Sequence, residues 1–177
     1  AFVKIDLSFT KTAQTGTPGG AGGPRVQATI PPSNITHEQA ASKLPDIQTN
    51  KPDKTDSTKS DNTSFDGIQQ STIDEINDLA KKAKCTKSTC FVTGGTEVGH
   101  NGGTSHANGM AFDFRPNDAV DKVIQGYESL GKNDKGEAMY RNPVSETEYT
   151  RESNHWHATV PTKAARGFGS FGTTGSY

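Results

Sequence analysis

Residues 105–113 read Ser-His-Ala-Asn-Gly-Met-Ala-Phe-Asp, a stretch that combines a histidine, a turn signal and an alternating segment. Seven positions separate His106 from Asp113, which is roughly 23 Å in a chain extended at about 3.3 Å per residue. The two side chains can meet only if the chain reverses direction between them. Asn108-Gly109 is the expected turn, because glycine accepts a positive φ without steric cost and asparagine tolerates it.

The residues after this turn alternate in polarity. Met110, Phe112 and Phe114 fall on one side, whereas Ala111 and Asp113 fall on the other. This period of two predicts a half-buried strand in which Asp113 faces away from the aromatic core. The small Ala111 leaves room for a ligand beside it.

A second stretch, His155-Trp156-His157, shows the same period. In a strand, both histidines share one face and Trp156 turns toward the core. One histidine can bind a metal while its neighbour, about 6.6 Å along the strand, reaches a metal-bound water or the substrate. With one histidine of this pair as a ligand, the two stretches supply two ligating imidazoles and a carboxylate, the ligand set of a catalytic zinc whose fourth position stays open to water.

These residues resemble a known family. The pattern S-x-H-x-x-G-x-A-x-D, followed by a C-terminal H-x-H, is similar to the zinc D-Ala-D-Ala carboxypeptidase and L,D-endopeptidase superfamily, which includes phage endolysins and the Hedgehog signalling domain. The resemblance covers roughly residues 70–160 and implies that His106, Asp113 and His157 bind Zn²⁺. It also implies a murein metallopeptidase that hydrolyses an amide bond in the stem peptide or cross-link of peptidoglycan.

The sequence departs from the family at the position of the general base. Asn154 stands where many members carry Glu or Asp, and a neutral amide cannot take a proton from water. One subgroup with an H-x-H end has a slightly more distant Glu, and this similarity assigns the base to Glu152. His155 is the second candidate for the base, and it is also a candidate hydrogen-bond donor to the oxyanion.

A second departure lies upstream, where residues 93–97 read Thr-Gly-Gly-Thr-Glu in place of the family's S-G-Y-R-S. The family's Arg, a substrate-binding residue, is therefore missing. Arg115 is the expected substitute in substrate binding, with Arg151 as the alternative. Ser105 is expected to orient the turn or a ligand. His100 is expected in a solvated loop, with a position in the cleft as the alternative.

The composition indicates that part of the chain lies outside a packed core. Of 177 residues, only 29% are hydrophobic and 19 are Gly. Residues 11–66 are polar and aperiodic, which predicts a flexible or partner-ordered arm. Residues 1–10 contain a strictly alternating strand, expected either to dock onto another subunit by β-augmentation or to return to the chain's own sheet. Residues 162–177 form a Gly-rich tail.

The fold class expected for residues 67–161 is α+β, with a small antiparallel sheet carrying helices on one face and a long extended arm before it. One helix is expected to begin at Ser71 or Thr72. A second apolar stripe runs from Val120 to Leu130, with Asn117 as the N-cap. Cys85 and Cys90 are expected either as a loop disulfide or as two reduced thiols.

Charge and hydropathy exclude two classes of partner. The net charge is −1 with dispersed Lys and Arg, which argues against nucleic-acid binding, and no apolar run reaches the length of a membrane span.

The first residue is Ala1 and not Met. Together with the predicted arm, this first residue suggests that the protein is a matured part of a larger assembly. Its expected location is a virion tail, or the extracellular or periplasmic side of the cell wall. The rival function is a structural or interaction protein of that assembly, with the zinc serving stability alone. A free D,D-carboxypeptidase is a third possibility.

Overall fold

The computed structural model describes residues 30–100 and 105–162. In these residues, three helices and seven strands form an α+β domain. The helices are α1 (His37–Ser42), α2 (Gln70–Lys82) and α3 (Asp118–Gln125). The strands are β1 (Gln48–Thr49), β2 (Phe91–Gly94), β3 (Ala111–Phe114), β4 (Glu128–Lys132), β5 (Ala138–Arg141), β6 (Glu148–Arg151) and β7 (Trp156–Thr159). None of the three described helices has the length and apolar character needed to span a bilayer.

All seven strands belong to one sheet, in the order β1-β2-β3-β7-β6-β5-β4. β1 runs parallel to β2, and every other neighbouring pair is antiparallel. The α+β class is confirmed, but the sheet is mixed and larger than the small antiparallel sheet predicted. The prediction missed β4 and β5 because their residues are exposed or half-buried on both faces, so their sequence carries no period of two.

One apolar cluster holds the domain together. Side chains from all three helices pack in it against one face of the sheet. Phe112 and Phe114 enter the cluster from β3, and Trp156 and Ala158 enter it from β7. The alternation predicted from the sequence therefore places the aromatic face of both strands against the helices.

The helix α3 confirms one predicted cap and corrects one predicted end. The Asn117 side chain accepts a hydrogen bond from the Val120 N–H at 2.9 Å, as an N-cap should. The helix ends at Gly126, so Leu130 lies in β4 and not in the helical stripe. Cys85 and Cys90 form a disulfide, which decides between the two alternatives for this pair.

The structure departs from the predicted arm over residues 30–66. This segment contains α1, which begins with a capping box formed by Thr36 and Gln39, and the strand β1. Four of its apolar side chains are buried in the common cluster, namely Ala40, Leu44, Ile47 and Phe65. A low content of apolar residues indicates disorder only when the few apolar side chains remain exposed. Residues 11–29 of the arm, the docking strand 1–10 and the tail from 163 lie outside the described residues.

A core truncation tests whether residues 30–66 belong to the domain. Leu44 is 1% exposed, so Leu44→Ala should lower the free energy of unfolding by about 2–5 kcal/mol through lost burial and a residual cavity. Urea denaturation followed by circular dichroism measures this change. Val144 is 84% exposed, and Val144→Ala is the control, expected to stay within about 0.5 kcal/mol of wild type. Equal stability of the two variants would mean that the segment is detached.

Candidate metal centre

The pairing of β3 with β7 creates the floor of the site. Asp113 lies directly opposite His157 in this antiparallel register. Phe112 and Phe114 on β3 point to the core, so Asp113 and His157 share the opposite face. Asp113 Oδ1 lies 2.9 Å from His157 Nδ1. Two residues far apart in sequence are thus in direct contact.

His106 reaches the same point from the predicted turn. Gly109 has φ +71°, and a Cβ there would lie 2.3 Å from the Gly67 carbonyl oxygen, so the turn requires glycine. The Gly109 N–H donates to the His106 carbonyl at 2.9 Å and closes the turn. The His106 ring is buried, and its Nδ1 donates to the Gly95 carbonyl at 2.6 Å. Nε2 is therefore the nitrogen that faces Asp113 and His157.

Hydrogen bonds from helix α2 and its N-cap hold this turn against the core. The Thr72 hydroxyl donates to the Gly109 carbonyl at 2.7 Å, and the Gln69 N–H donates to the same oxygen at 3.0 Å. Gln69 is the N-cap of the helix, in place of the predicted Ser71 or Thr72. Thr72 was predicted to cap its own helix, but its hydroxyl instead positions the loop that carries His106.

Three donor atoms form a tight triangle on the floor of the site. His106 Nε2 lies 3.2 Å from His157 Nδ1 and 3.4 Å from Asp113 Oδ1, and the third side is the 2.9 Å contact between Asp113 and His157. A tetrahedral zinc ion with bonds of about 2.0–2.1 Å holds its donors about 3.3 Å apart. The residues predicted as ligands are therefore brought together at spacings that fit one metal ion.

His100 offers a second donor set that shares two members with the first. Donor atoms of His100, His106 and Asp113 all lie within 4.8 Å of one another, so this group could also hold a metal ion. However, the His100 and His106 rings are stacked, with centroids 3.6 Å apart and planes 6° apart. A ring-nitrogen lone pair lies in the ring plane, so two parallel rings cannot both direct a lone pair at one ion. The His106 and His157 rings are tilted by 51°, so this obstacle does not apply to them.

The charge on Asp113 is stabilised by its neighbours. Burial opposes ionisation, but hydrogen bonds from His106 and His157 outweigh it and hold the pKa of Asp113 well below its ordinary value. A metal ligand must be deprotonated, and this carboxyl is. The other nitrogen of His157, Nε2, lies 3.1 Å from the Thr159 hydroxyl, which leaves Nδ1 to face the site.

Sequence reasoning missed a buried carboxylate behind the site. Glu97 is 4% exposed and accepts hydrogen bonds from the Ser64 N–H at 2.8 Å and from the Gly95 N–H at 3.0 Å. His100 Nε2 lies 2.9 Å from the same carboxylate, so His100 lines the cleft and is not a solvated loop residue. Burial opposes the charge of Glu97, but the bonds from His100 and Ser64 lower its pKa. The available signal was a Glu three residues before a His in a Gly-rich loop after a strand.

The predicted catalytic residues lie beside the triangle. His155 Nε2 lies 3.6 Å from Asp113 Oδ1 and 3.4 Å from Glu152 Oε2. His155 Nδ1 lies 2.7 Å from Asn154 Oδ1. With this oxygen accepting the Nδ1 proton, a neutral ring keeps its lone pair on Nε2. In a doubly protonated ring, Nε2 would instead carry a proton toward the carboxylates of Glu152 and Asp113.

The donors open into a cleft of about 420 Å³. Ser105 lines this cleft, as does Lys135 in the hairpin between β4 and β5, and Lys135 is the one Lys or Arg among its described lining residues. Arg115 is not among them, because its guanidinium stacks 4.3 Å from the Phe91 ring. Arg151 also lies outside the lining and donates to the Glu152 and His155 carbonyls. It therefore shapes the loop that carries both residues.

Models of known protein families give no match to this chain, and neither the curated proteins nor the solved structures contain a match. The function proposed below depends on the site itself and on the motif that it contains.

The two overlapping donor sets make opposite predictions for single substitutions. Because the rings of His106 and His157 can converge on one ion, His157→Ala should lose the metal under conditions in which wild type holds one ion. His100→Ala should still bind one ion, although more weakly. Equilibrium dialysis against zinc, followed by elemental analysis, measures both. Loss of the ion in His100→Ala with retention in His157→Ala would assign the site to the other set.

Proposed function

We propose that this protein is a zinc-dependent peptidase that hydrolyses an amide bond in the stem peptide or cross-link of peptidoglycan. The observation that supports the proposal most directly is the donor triangle of His106, Asp113 and His157, with Glu152 and His155 at its rim. Two histidines, one carboxylate and an adjacent acid–base pair are the parts that a hydrolytic zinc site requires. The murein substrate rests on the resemblance of the 105–113 motif and the H-x-H end.

Zinc bound by His106, Asp113 and His157 would supply Lewis-acid polarisation of the scissile carbonyl and would lower the pKa of water at the site toward 7. The protein's own groups must then move the proton. Glu152 Oε2 and His155 Nε2 are 3.4 Å apart and together take the proton of the attacking water. They return it to the amine as the C–N bond breaks.

The cleft fits an extended polar substrate. Its lining is mainly polar, and the hairpin residues Asn133, Lys135 and Glu137 form one wall. Lys135 provides the positive charge that a substrate carboxylate needs, in place of the predicted Arg115. The peptide stem of murein carries such carboxylates, and binding one of them would orient the scissile bond over the metal site.

The wider context is a virion tail or another wall-penetrating assembly, on the extracellular or periplasmic side of the cell wall. The Cys85–Cys90 disulfide supports this location, because disulfides persist mainly in oxidising compartments. The partners would be the peptidoglycan stem peptide and other subunits of the assembly, which residues 1–10 and the segment after them would contact.

The alternative is a catalytically inactive structural or interaction protein in the same assembly. Asn154 favours it, because this residue occupies the position of the family's usual base and hydrogen-bonds to His155. In that case the metal would serve stability alone. The two functions differ in what Glu152 does, and this difference can be tested.

Digestion of purified peptidoglycan tests the proposal. The zinc-loaded protein should release fragments with new stem-peptide termini, identified by mass spectrometry, and a chelator should abolish them. Glu152→Gln removes the proton acceptor and should lower kcat by about 10²–10⁴-fold while zinc content stays that of wild type.

Glu38→Gln is the matched control, because Glu38 is an exposed carboxylate of α1 that does not line the cleft, and the activity of this variant should equal that of wild type. Intact peptidoglycan of several wall chemotypes, despite full zinc occupancy, would contradict the peptidase and favour the structural alternative.

A further inference from the structure

Both carboxylate oxygens of Asp113 have imidazole neighbours. Oδ1 faces His106 and His157 in the donor triangle. Oδ2 lies 3.5 Å from His100 Nδ1 on the other side. The orientation of this carboxylate, and with it the position of Oδ1, therefore depends on where the His100 ring lies.

Two contacts hold the His100 ring in place. One is the parallel stack on the His106 ring, at a centroid distance of 3.6 Å. The other is the 2.9 Å hydrogen bond from Nε2 to the Glu97 carboxylate. The His100 ring is thus held by stacking on its face and by a hydrogen bond at Nε2, and its Nδ1 faces Asp113.

Glu97 is itself anchored by the main chain. The N–H groups of Ser64 and Gly95 donate to its carboxylate, and Gly95 also accepts the Nδ1 proton of His106 through its carbonyl. One short loop after β2 therefore positions His106 directly and reaches Asp113 through Glu97 and His100.

The last residue of β2, which precedes this loop, leaves little space beside Asp113. A Cβ at Gly94 would lie 2.4 Å from Asp113 Oδ2 and 2.7 Å from His100 Cε1. The carboxylate and the His100 ring are packed against the backbone at this point. A change in how Glu97 holds His100 must therefore be transmitted to Asp113.

We propose that Glu97 is a positioning residue of the metal centre, which acts through His100 to hold Asp113 in its ligating orientation. His100 is the intermediary in this chain of contacts and not a ligand. The inference rests on the proposed function only in requiring that His106, Asp113 and His157 bind a metal ion. It assigns a role to two residues that lie outside the S-x-H-x-x-G-x-A-x-D motif.

The zinc affinity of Glu97→Gln tests the proposal. The amide keeps an oxygen for the backbone N–H donors but places an NH₂ group where the carboxylate accepted from His100. Loss of such an outer hydrogen bond typically weakens metal binding about 10–100-fold, and this loss is the expected result in competition with a chromophoric chelator. Glu137→Gln removes the same charge from the same cleft and should leave the affinity unchanged.

A spectroscopic readout separates positioning from general stability. Cobalt(II) bound in place of zinc shows d–d absorption bands that depend on the geometry of its ligands. These bands should shift in Glu97→Gln and not in Glu137→Gln. Glu97→Gln with wild-type bands and wild-type zinc affinity would overturn the proposal. Absence of zinc binding by the wild-type protein would instead overturn the proposed function.

A double-mutant cycle tests whether Glu97 acts through His100. If it does, Glu97→Gln should weaken zinc binding no further once His100→Gln is present, because the contact with Asp113 is already lost. If Glu97 merely stabilises the loop through Ser64 and Gly95, the two effects on affinity should multiply. Multiplicative effects would contradict the role of His100 as intermediary.

Discussion

Asp113 and His157 face each other because β3 and β7 pair in a single register. A slip of either strand by one residue would turn its site residue toward the helices and bring Phe112 or Trp156 into the cleft. The apolar face of the same strands opposes such a slip, since burying each large side chain contributes roughly 1.5–3 kcal/mol. The polar site on one face of the sheet is thus held in place by hydrophobic packing on the other.

The site gathers ionisable groups that would be costly to bury alone. Asp113, Glu97 and His106 are all buried, and buried charges persist only when they are paired and hydrogen-bonded. Much of the pairing comes from backbone groups, including the Ser64 N–H and the Gly95 carbonyl. Residues 30–66 therefore contribute a hydrogen bond to the site as well as side chains to the core. Through Ser64, this segment helps to support the candidate metal centre.

Local patterns predicted the parts of the fold that depend on neighbouring residues. The alternation around Phe112 marks β3, Gly109 marks the turn that delivers His106, and Asn117 marks the start of α3. The parts that depend on distant contacts gave no such signal. The position of Glu97 is set by a backbone N–H from residue 64. Arg115 does not line the cleft, and its guanidinium stacks on the Phe91 ring. Neither partner could be identified from spacing alone.

A crystal structure of the zinc-loaded protein, with anomalous diffraction data collected at the zinc absorption edge, would show whether His106, Asp113 and His157 bind one zinc ion. One anomalous peak is expected within bonding distance of His106 Nε2, Asp113 Oδ1 and His157 Nδ1, with the His100 ring stacked on His106 and hydrogen-bonded to Glu97. A peak bound by His100 in place of His157, or no peak at the donor triangle in zinc-saturated crystals, would contradict this assignment of the three ligands.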